Sequence, residues 1–268
     1  MIDLNSGIVL LVCGSLAGFL GGFFGVGGGI LIVPVLVLVL EGSGVSSLVS
    51  THLAFGTSLC VAAIASFSPA YQAVRNGHIT RKSASLAGIA GVLAAVVGSL
   101  IAGGLEGTTL RLLLGITVLI PALQFLAGGA TPKRGDERPI TRPALFGSGL
   151  VTGFVSSLTG VEGGVAGLPL MYRLMSFPLK EAGAISHAAT VSAAFASSVM
   201  YVVTGWGNTL LPAQTLGYVG YLAAVPLIAG TLPVAAWGAT FARKTRPGKN
   251  RKYYGAFLLA IAVKMMFF

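Results

Sequence analysis

The sequence contains few charged residues. Asp, Glu, Lys and Arg together make up 9% of its 268 residues, whereas 54% of the residues are hydrophobic. Uncharged runs extend from Asn5 to Leu40 and from Val45 to Val74, and runs this long are typical of membrane spans rather than of soluble core helices. The scarcity of charge therefore excludes a soluble or single-pass protein and predicts a multi-pass membrane protein embedded in a lipid bilayer.

Cysteine and histidine are also rare, with two and three copies. Cys13 and Cys60 lie inside apolar runs, where two thiols provide neither a disulfide framework nor a metal site, so we expect them to be small packing residues. The sequence has no metal-binding Cys/His or His/Glu spacing and no GxxxxGK[ST] phosphate loop. These absences predict no metal, no cofactor, no catalytic residues and no ATP-driven activity for this chain alone.

Acidic residues are the scarcer charge, with 7 Asp and Glu against 17 Lys and Arg. The basic residues fall mainly in three short segments, 75–82, 133–142 and 243–252. Short basic loops between apolar runs follow the positive-inside rule, so the net charge of +10 indicates orientation and not a nucleic-acid partner. We predict that these loops face the cytoplasm across the inner membrane, with the N-terminus on the opposite side. The first ten residues lack the cationic start of a cleavable signal, so the first apolar run is expected to belong to the mature fold.

Glycine, in contrast, is abundant, with 39 copies. The segment GFLGGFFGVGGGILIVP, Gly18 to Pro34, recurs as GFVSSLTGVEGGVAGLP, Gly153 to Pro169. A shift of 135 residues aligns the two without a gap and leaves seven of 17 positions identical. The same shift places His52 on His187. We interpret the chain as a duplication that comprises membrane repeat 1 (1–129), a charged cytoplasmic linker (130–143) and membrane repeat 2 (144–268), which together form one transport domain.

The loops of the two halves differ in charge. Under the same shift, the basic loop 75–82 corresponds to the uncharged residues 210–217, and the acidic GGLEGT at 103–108 maps near the strongly basic residues 241–252. Equivalent loops therefore belong on opposite sides of the membrane. The sequence predicts an all-α polytopic membrane protein of two inverted-topology repeats, each with a glycine-broken helical hairpin and three transmembrane helices, about 8–10 membrane segments in total.

The glycine run is expected to break its helix. Three consecutive glycines, Gly27 to Gly29, make the helical state unfavourable by roughly 1 kcal/mol each relative to Ala. The apolar residues that follow, Ile30 to Leu40, are too few to cross a hydrocarbon core of about 30 Å. We predict a helical hairpin that returns to the side it came from, and a single unwound span is the alternative.

A break inside the membrane leaves backbone N–H groups unpaired, and it is tolerated where it lines a cavity. The short helices that begin near Ile30 and Val165 present positive N-termini to that cavity, which favours an anion. The alternative is that the glycines only allow close helix packing. The predicted substrate-binding residues are the glycines of both breaks and nearby polar residues: Gly25, Gly27, Gly28, Gly29, Thr51, His52, Ser156, Ser157, Gly160, Gly163, Gly164, Ser186, His187 and Thr190.

Three ionisable residues lie near these breaks. His52 and His187 either donate hydrogen bonds to the anion or carry a coupling proton, or else each caps its helix near the interface. Glu162 replaces Gly27 of the first copy and is a candidate proton-coupling residue, because an ionised carboxylate would repel an anionic substrate. The alternative role for Glu162 is an N-terminal charge on the short helix that begins at Val165.

The two glycine-rich segments, with the following STHLAFGTS and AISHAATVS, resemble the TauE/SafE family of sulfite and organosulfonate exporters, also described as the 4-toluene sulfonate uptake permease family. The resemblance covers essentially the whole chain. It implies a membrane carrier of small sulfur-containing anions such as sulfite, sulfoacetate or related organosulfonates, with its glycine-rich signature on the glycines named above. A homodimer remains an open alternative.

We therefore predict a secondary carrier that works by alternating access and is coupled to a proton or ion gradient. Export is favoured over uptake because an inside-negative potential helps to expel anions, by ~2.3 kcal/mol per charge per 100 mV. An uptake permease or a channel-like anion pathway is the alternative. An intramembrane enzyme or a partner of a sulfur-metabolising complex is a further one, although the sequence lacks a nucleophile–base pair and a large soluble domain.

Overall fold

The computed structural model describes residues 4–24, 27–127, 139–244 and 250–267. Within these ranges the chain forms ten α-helices and a single π-helical turn, Leu170–Leu174, and no β-strand. The helices are α1 (Leu4–Phe24), α2 (Gly29–Gly42), α3 (Ser47–Arg75), α4 (Arg81–Gly103), α5 (Gly107–Leu126), α6 (Arg142–Thr159), α7 (Gly164–Pro169), α8 (Leu179–Gly205), α9 (Tyr221–Lys244) and α10 (Asn250–Phe267). The predicted all-α class is confirmed.

In the described part of the chain, six helices are long and apolar enough to cross a membrane: α1, α3, α4, α5, α8 and α9. The helix α2 is apolar but has only 14 residues. The helices α6 and α10 have 18 residues each, which corresponds to about 27 Å. They pack along α4 and α5, respectively. The chain is thus a multi-pass membrane protein.

Local sequence signals set several helix ends. The Thr80 hydroxyl accepts a hydrogen bond of 3.1 Å from Ser83 N and so caps the start of α4. A proline, Pro143, occupies the first turn of α6, where its missing N–H has no cost. The same helix ends at Gly160, whose φ of +66° is the left-handed conformation that favours glycine after a helix.

The chain folds back on itself at both breaks. A Cβ atom added at Gly28 would lie 3.1 Å from Ala17 O, so the start of α2 packs against the middle of α1. At the second break, a Cβ added at Gly163 would lie 2.8 Å from Thr152 O, in the middle of α6. A shift of 135 residues takes Ala17 to Thr152 and Gly28 to Gly163. Both breaks therefore form the predicted hairpin, in the same way, and not a single unwound span.

Helices of one half pack on helices of the other half through glycine. Along α1, Gly14 and Gly18 lie against the backbone of Leu227 and Thr231 in α9. The equivalent helix α6 uses Gly149 and Gly153 against Ala87 and Gly91 of α4 in the same way. Glycines at four-residue spacing let two helix backbones approach closely. These contacts make α4 and α9 equivalent helices, and their contact residues are 140 positions apart. The sequence repeat is 135 residues, so the chain before α9 is five residues longer than the repeat predicts.

The last helices of the two halves, α5 and α10, run antiparallel. Gly115, in the first half of α5, lies against Ala262 and Met266 near the end of α10. Gly255, near the start of α10, lies against Phe125 and Leu126 at the end of α5. This is the direction expected for helices that inverted repeats place in equivalent positions.

The sidedness of the loops and the boundaries of the repeats remain predictions. Residues 128–138, which include most of the predicted linker and of the second basic loop, lie outside the described residues, as do residues 245–249 of the third basic loop.

The glycine interface between α1 and α9 predicts that two Gly→Ala substitutions in α1 change the free energy of unfolding very differently. In Gly18→Ala the added Cβ would lie 2.9 Å from the Thr231 Cα, and backbone atoms cannot move away easily. We expect the free energy of unfolding to fall by about 1–3 kcal/mol, measured by denaturant or thermal unfolding in detergent.

The matched control is Gly7→Ala, also in α1, where nothing lies within 4 Å of the added atom. This variant is expected to be neutral or to stabilise the protein by up to about 1 kcal/mol, because Ala is the better helix former. Equal stability of the two variants would contradict the close α1–α9 packing.

Candidate functional site

The two breaks are in direct contact with each other. A Cβ added at Gly29 would lie 3.0 Å from Glu162 N and 3.1 Å from Val161 Cα, and one added at Gly27 would lie 2.7 Å from Glu162 Oε2. Both positions therefore need glycine, because a side chain would push the breaks apart. Gly27 also has a φ of +87°, which only glycine adopts readily. We call this contact, residues 27–29 with residues 160–164, the junction.

The N-terminus of α2 holds a carboxylate at the junction. Gly28 N donates a hydrogen bond of 2.9 Å to Glu162 Oε1, and this contact is buried. Gly28 is the N-cap residue, just before α2, and brings no side chain of its own to cap the helix. The partial positive charge of a helix N-terminus stabilises a negative group there. A carboxylate from the second half of the chain thus caps the short helix of the first half.

This contact differs from the alternative role considered for Glu162. Its backbone oxygen accepts a 3.1 Å hydrogen bond from Val165 N, at the start of the short helix α7. Its side chain is directed to α2 instead. Only 9% of Glu162 is exposed, so this acidic residue lies among the buried residues of the protein.

Buried hydroxyl groups lie beside the junction in α3 and α8. The Oγ of Ser58 in α3 lies 3.4 Å from a Cβ built at Gly29, and the Oγ of Ser186 in α8 lies 3.4 Å from one built at Gly164. Neither hydroxyl has a hydrogen-bond partner among the described residues, and the same holds for Thr152 in α6 and Thr190 in α8. A buried polar group without a partner is destabilising by roughly 1–3 kcal/mol. These hydroxyls are therefore available as neutral donors to a ligand.

Two other predicted hydroxyls lie beside the junction but bond to backbone oxygens. Ser156 Oγ donates to Val161 O at 2.8 Å, and Ser157 Oγ donates to Phe154 O at 2.9 Å. The hydroxyl of Tyr201 donates to Ser157 O at 3.0 Å from the neighbouring helix α8. These contacts hold the end of α6 in place. The positions of Ser156 and Ser157 fit a supporting role for the break.

His52 contacts the end of α4. Its Nε2 atom lies 3.1 Å from Ala102 O, in the last turn of that helix. Its ring stacks on Tyr218, with ring centroids 4.9 Å apart. Since a carbonyl oxygen can only accept, Nε2 carries the proton in this contact. This is the helix-capping role left open above, except that His52 caps a neighbouring helix rather than its own.

The remaining predicted residues are more dispersed. Thr51 Oγ1 accepts a hydrogen bond of 2.9 Å from Arg111 Nε, away from the breaks. His187 follows Ser186 in α8 and is partly buried, whereas His52 is buried against Ala102. Gly25 lies outside the described residues. The sequence symmetry between His52 and His187 is therefore not repeated in their contacts.

The sequence analysis missed an ion pair at the far end of α2. Arg111 of α5 forms a salt bridge with Glu41, and its Nη2 donates to Ser50 Oγ at 3.1 Å. Ser50 Oγ in turn donates to Glu41 Oε1 at 2.7 Å. The available signal was that Glu41 and Arg111 are single charged residues beside long apolar segments. Ionisable residues in such places usually pair with each other. The helix α2 is thus fixed at one end by Glu162 and at the other by Arg111.

Comparison with known proteins agrees with this architecture. A family model described as sulfite exporter TauE/SafE matches residues 10–265. A probable membrane transporter protein of Haemophilus influenzae is 26% identical over 258 residues, which cover 96% of this chain and 97% of that protein. Another, of Methanocaldococcus jannaschii, is 28% identical over 225 residues, or 82% of each chain. No solved structure matches significantly.

The junction predicts that Gly27→Ala is more harmful than an equally strained substitution elsewhere. Gly27 and Gly44 both have positive φ, +87° and +85°, so Ala adds a similar backbone strain of about 1–2 kcal/mol at each. Only at Gly27 would the new methyl group collide with Glu162, because nothing lies within 4 Å at Gly44.

We expect Gly27→Ala to lower the free energy of unfolding by about 1–3 kcal/mol more than Gly44→Ala, measured by thermal unfolding in detergent. Two variants of equal stability would show that Gly27 and Glu162 are not in contact.

Proposed function

The chain belongs to the sulfite exporter TauE/SafE family, and from this premise we propose that it is a secondary carrier that exports a small sulfur-containing anion by alternating access. It is a multi-pass membrane transporter. The substrate class we propose comprises sulfite, sulfoacetate and related organosulfonates. We place the carrier in the inner membrane, with its basic loops in the cytoplasm.

One observation carries the proposal: the buried N-terminus of α2 already donates a hydrogen bond to a carboxyl group, that of Glu162. A sulfite or sulfonate group has the same negative oxygen atoms and the same requirement for N–H and O–H donors. The glycines of the junction allow such a group to approach the backbone. The hydroxyls of Ser186 and Thr190, which have no partner among the described residues, supply neutral donors. Such donors bind an anion weakly enough for it to be released.

The helix packing supports alternating access. The α1–α9 and α4–α6 pairs join the two halves through equivalent glycine contacts, and the equivalent helices α5 and α10 are antiparallel. We infer that the halves are inverted repeats. Carriers of this design place the substrate site near the middle of the membrane, where discontinuous helices meet, and expose it to one side at a time as one part rocks against the other.

The junction favours a carrier over a channel-like pathway. At Gly29 the two breaks are so close that an added Cβ would lie 3.0 Å from Glu162 N. A continuous pore cannot pass between backbones in such contact, so the breaks have to separate on one side before an anion can enter. We propose that Glu162 couples this step to a proton, because its carboxylate must be neutral while an anion lies beside it.

The substrate class is tested first by ligand stabilisation of the purified protein. Sulfite, thiosulfate, sulfoacetate and taurine are compared with carboxylates of similar size. A true substrate at about 100 times its Kd should stabilise the folded state by ~2.7 kcal/mol, and we expect this for a sulfur oxyanion. Stabilisation only by cations or neutral solutes would refute an anion carrier.

The mechanism is tested by counterflow in proteoliposomes. Vesicles loaded with unlabelled anion are diluted into a trace of labelled anion, with protein-free vesicles as the control. A carrier should accumulate label inside the vesicles transiently. Each unlabelled anion carried out lets the binding site return with a labelled anion. A conductive flux without this exchange would indicate a channel, and chemical turnover without flux would indicate an enzyme.

A further inference from the structure

We propose that Glu162 is a tethered competitor of the transported anion. In this structure its carboxylate occupies the place at the α2 N-terminus that the substrate has to take. The inference rests on the proposed function, since it assumes that the anion binds at the junction. The new element is that Glu162 occupies the binding site when no substrate is bound, so the substrate must displace it.

The geometry makes the two anions mutually exclusive. The amide of Gly28, the N-cap residue of α2, has a single hydrogen and donates it to Glu162 Oε1 at 2.9 Å. The other carboxylate oxygen, Oε2, lies beside Gly27, where even a Cβ would be only 2.7 Å away. The carboxylate therefore fills the space in front of the helix N-terminus. An oxyanion cannot reach the Gly28 amide until Glu162 leaves.

A second feature shows that the site has donors that Glu162 does not use. The side chain of Ser58 is fully buried, at 0% exposure, and it points to Gly29 at the start of α2. Its Oγ has no hydrogen-bond partner among the described residues. Glu162 accepts one hydrogen bond, from Gly28 N, although a carboxylate has about four acceptor sites. The junction thus contains a buried donor, Ser58 Oγ, that its present occupant does not engage.

The charges around Glu162 decide whether it and a bound anion could stay side by side. Within the described residues, its side chain has no salt-bridge partner. Arg111 pairs with Glu41, and His52 contacts Ala102. An ionised Glu162 next to a bound substrate would therefore be a direct repulsion, which is relieved when Glu162 moves away or takes a proton.

The test compares anion affinity in two charge-neutralised variants at one fixed pH. Sulfite and methanesulfonate are titrated into the wild-type protein, Glu162→Gln and Glu181→Gln by calorimetry. Glu181 is the matched control because it lies in the first turn of α8 and loses the same charge near a helix N-terminus. We expect Glu162→Gln to bind the anion about tenfold or more tightly than wild type, because a neutral amide oxygen competes for the Gly28 N–H less strongly than a carboxylate and does not repel the anion. Glu181→Gln should bind like wild type.

The outcomes separate this inference from the proposed function. Unchanged or weaker binding in Glu162→Gln, with normal binding by wild type, would overturn the competitor role and leave the anion carrier intact. If neither protein binds any sulfur oxyanion, the proposed function itself fails.

A measurement on the unaltered chain covers the case in which Glu162→Gln does not fold. A hydrophobic carbodiimide labels accessible carboxyl groups, and peptide mass spectrometry reports the labelling of Glu162 separately from that of Glu181. Saturating anion should raise the labelling of Glu162 several-fold and leave Glu181 unchanged. Labelling of Glu162 that falls or stays constant would mean that the anion does not displace it.

Discussion

The hydrogen bond between Gly28 N and the Glu162 carboxylate is the contact on which the rest of the structure depends. A helix that begins inside a membrane protein has amide groups that neither water nor lipid satisfies there. In this chain the second half provides the missing acceptor, 134 residues away in sequence. This requirement brings the two breaks together, and their contact in turn explains why Gly27 and Gly29 lack side chains.

The surrounding helices hold this contact in place. The helix α2 is fixed between Glu162 at its start and the Arg111 salt bridge at its end. Each hairpin packs its long helix on a helix of the other half, α1 on α9 and α6 on α4, through closely spaced glycines. The junction therefore lies between helices that are packed across the two halves. In the proposed carrier, this is where a bound anion would act on the contact between the halves.

Much of the architecture could be predicted from the sequence because it depends on composition and local spacing. Long apolar runs identify membrane helices, and the glycine run at Gly27 to Gly29 marks a break without any knowledge of neighbours. The hairpin followed from length alone, since Ile30 to Leu40 is too short to cross the membrane. The duplication was visible because Gly28 and Gly163 begin equivalent breaks.

The contacts of the site could not be predicted in the same way. Glu162 was recognised as exceptional, but a sequence gives no distance, so its partner in the other half was hidden. The symmetric positions of His52 and His187 suggested equal roles, yet His52 bonds to Ala102, and the sequence contains no signal for that contact. The longer loop before α9, which changes the shift from 135 to 140, likewise becomes visible only through the packing of glycines.

The most direct measurement is a crystal structure of the protein with selenite, an analogue of sulfite whose selenium can be located by anomalous scattering. The account predicts an anomalous peak at the junction, with a selenite oxygen within hydrogen-bond distance of Gly28 N and of Ser58 Oγ, and Glu162 withdrawn from the α2 N-terminus. A peak elsewhere in the protein, with Glu162 still bonded to Gly28, would contradict it.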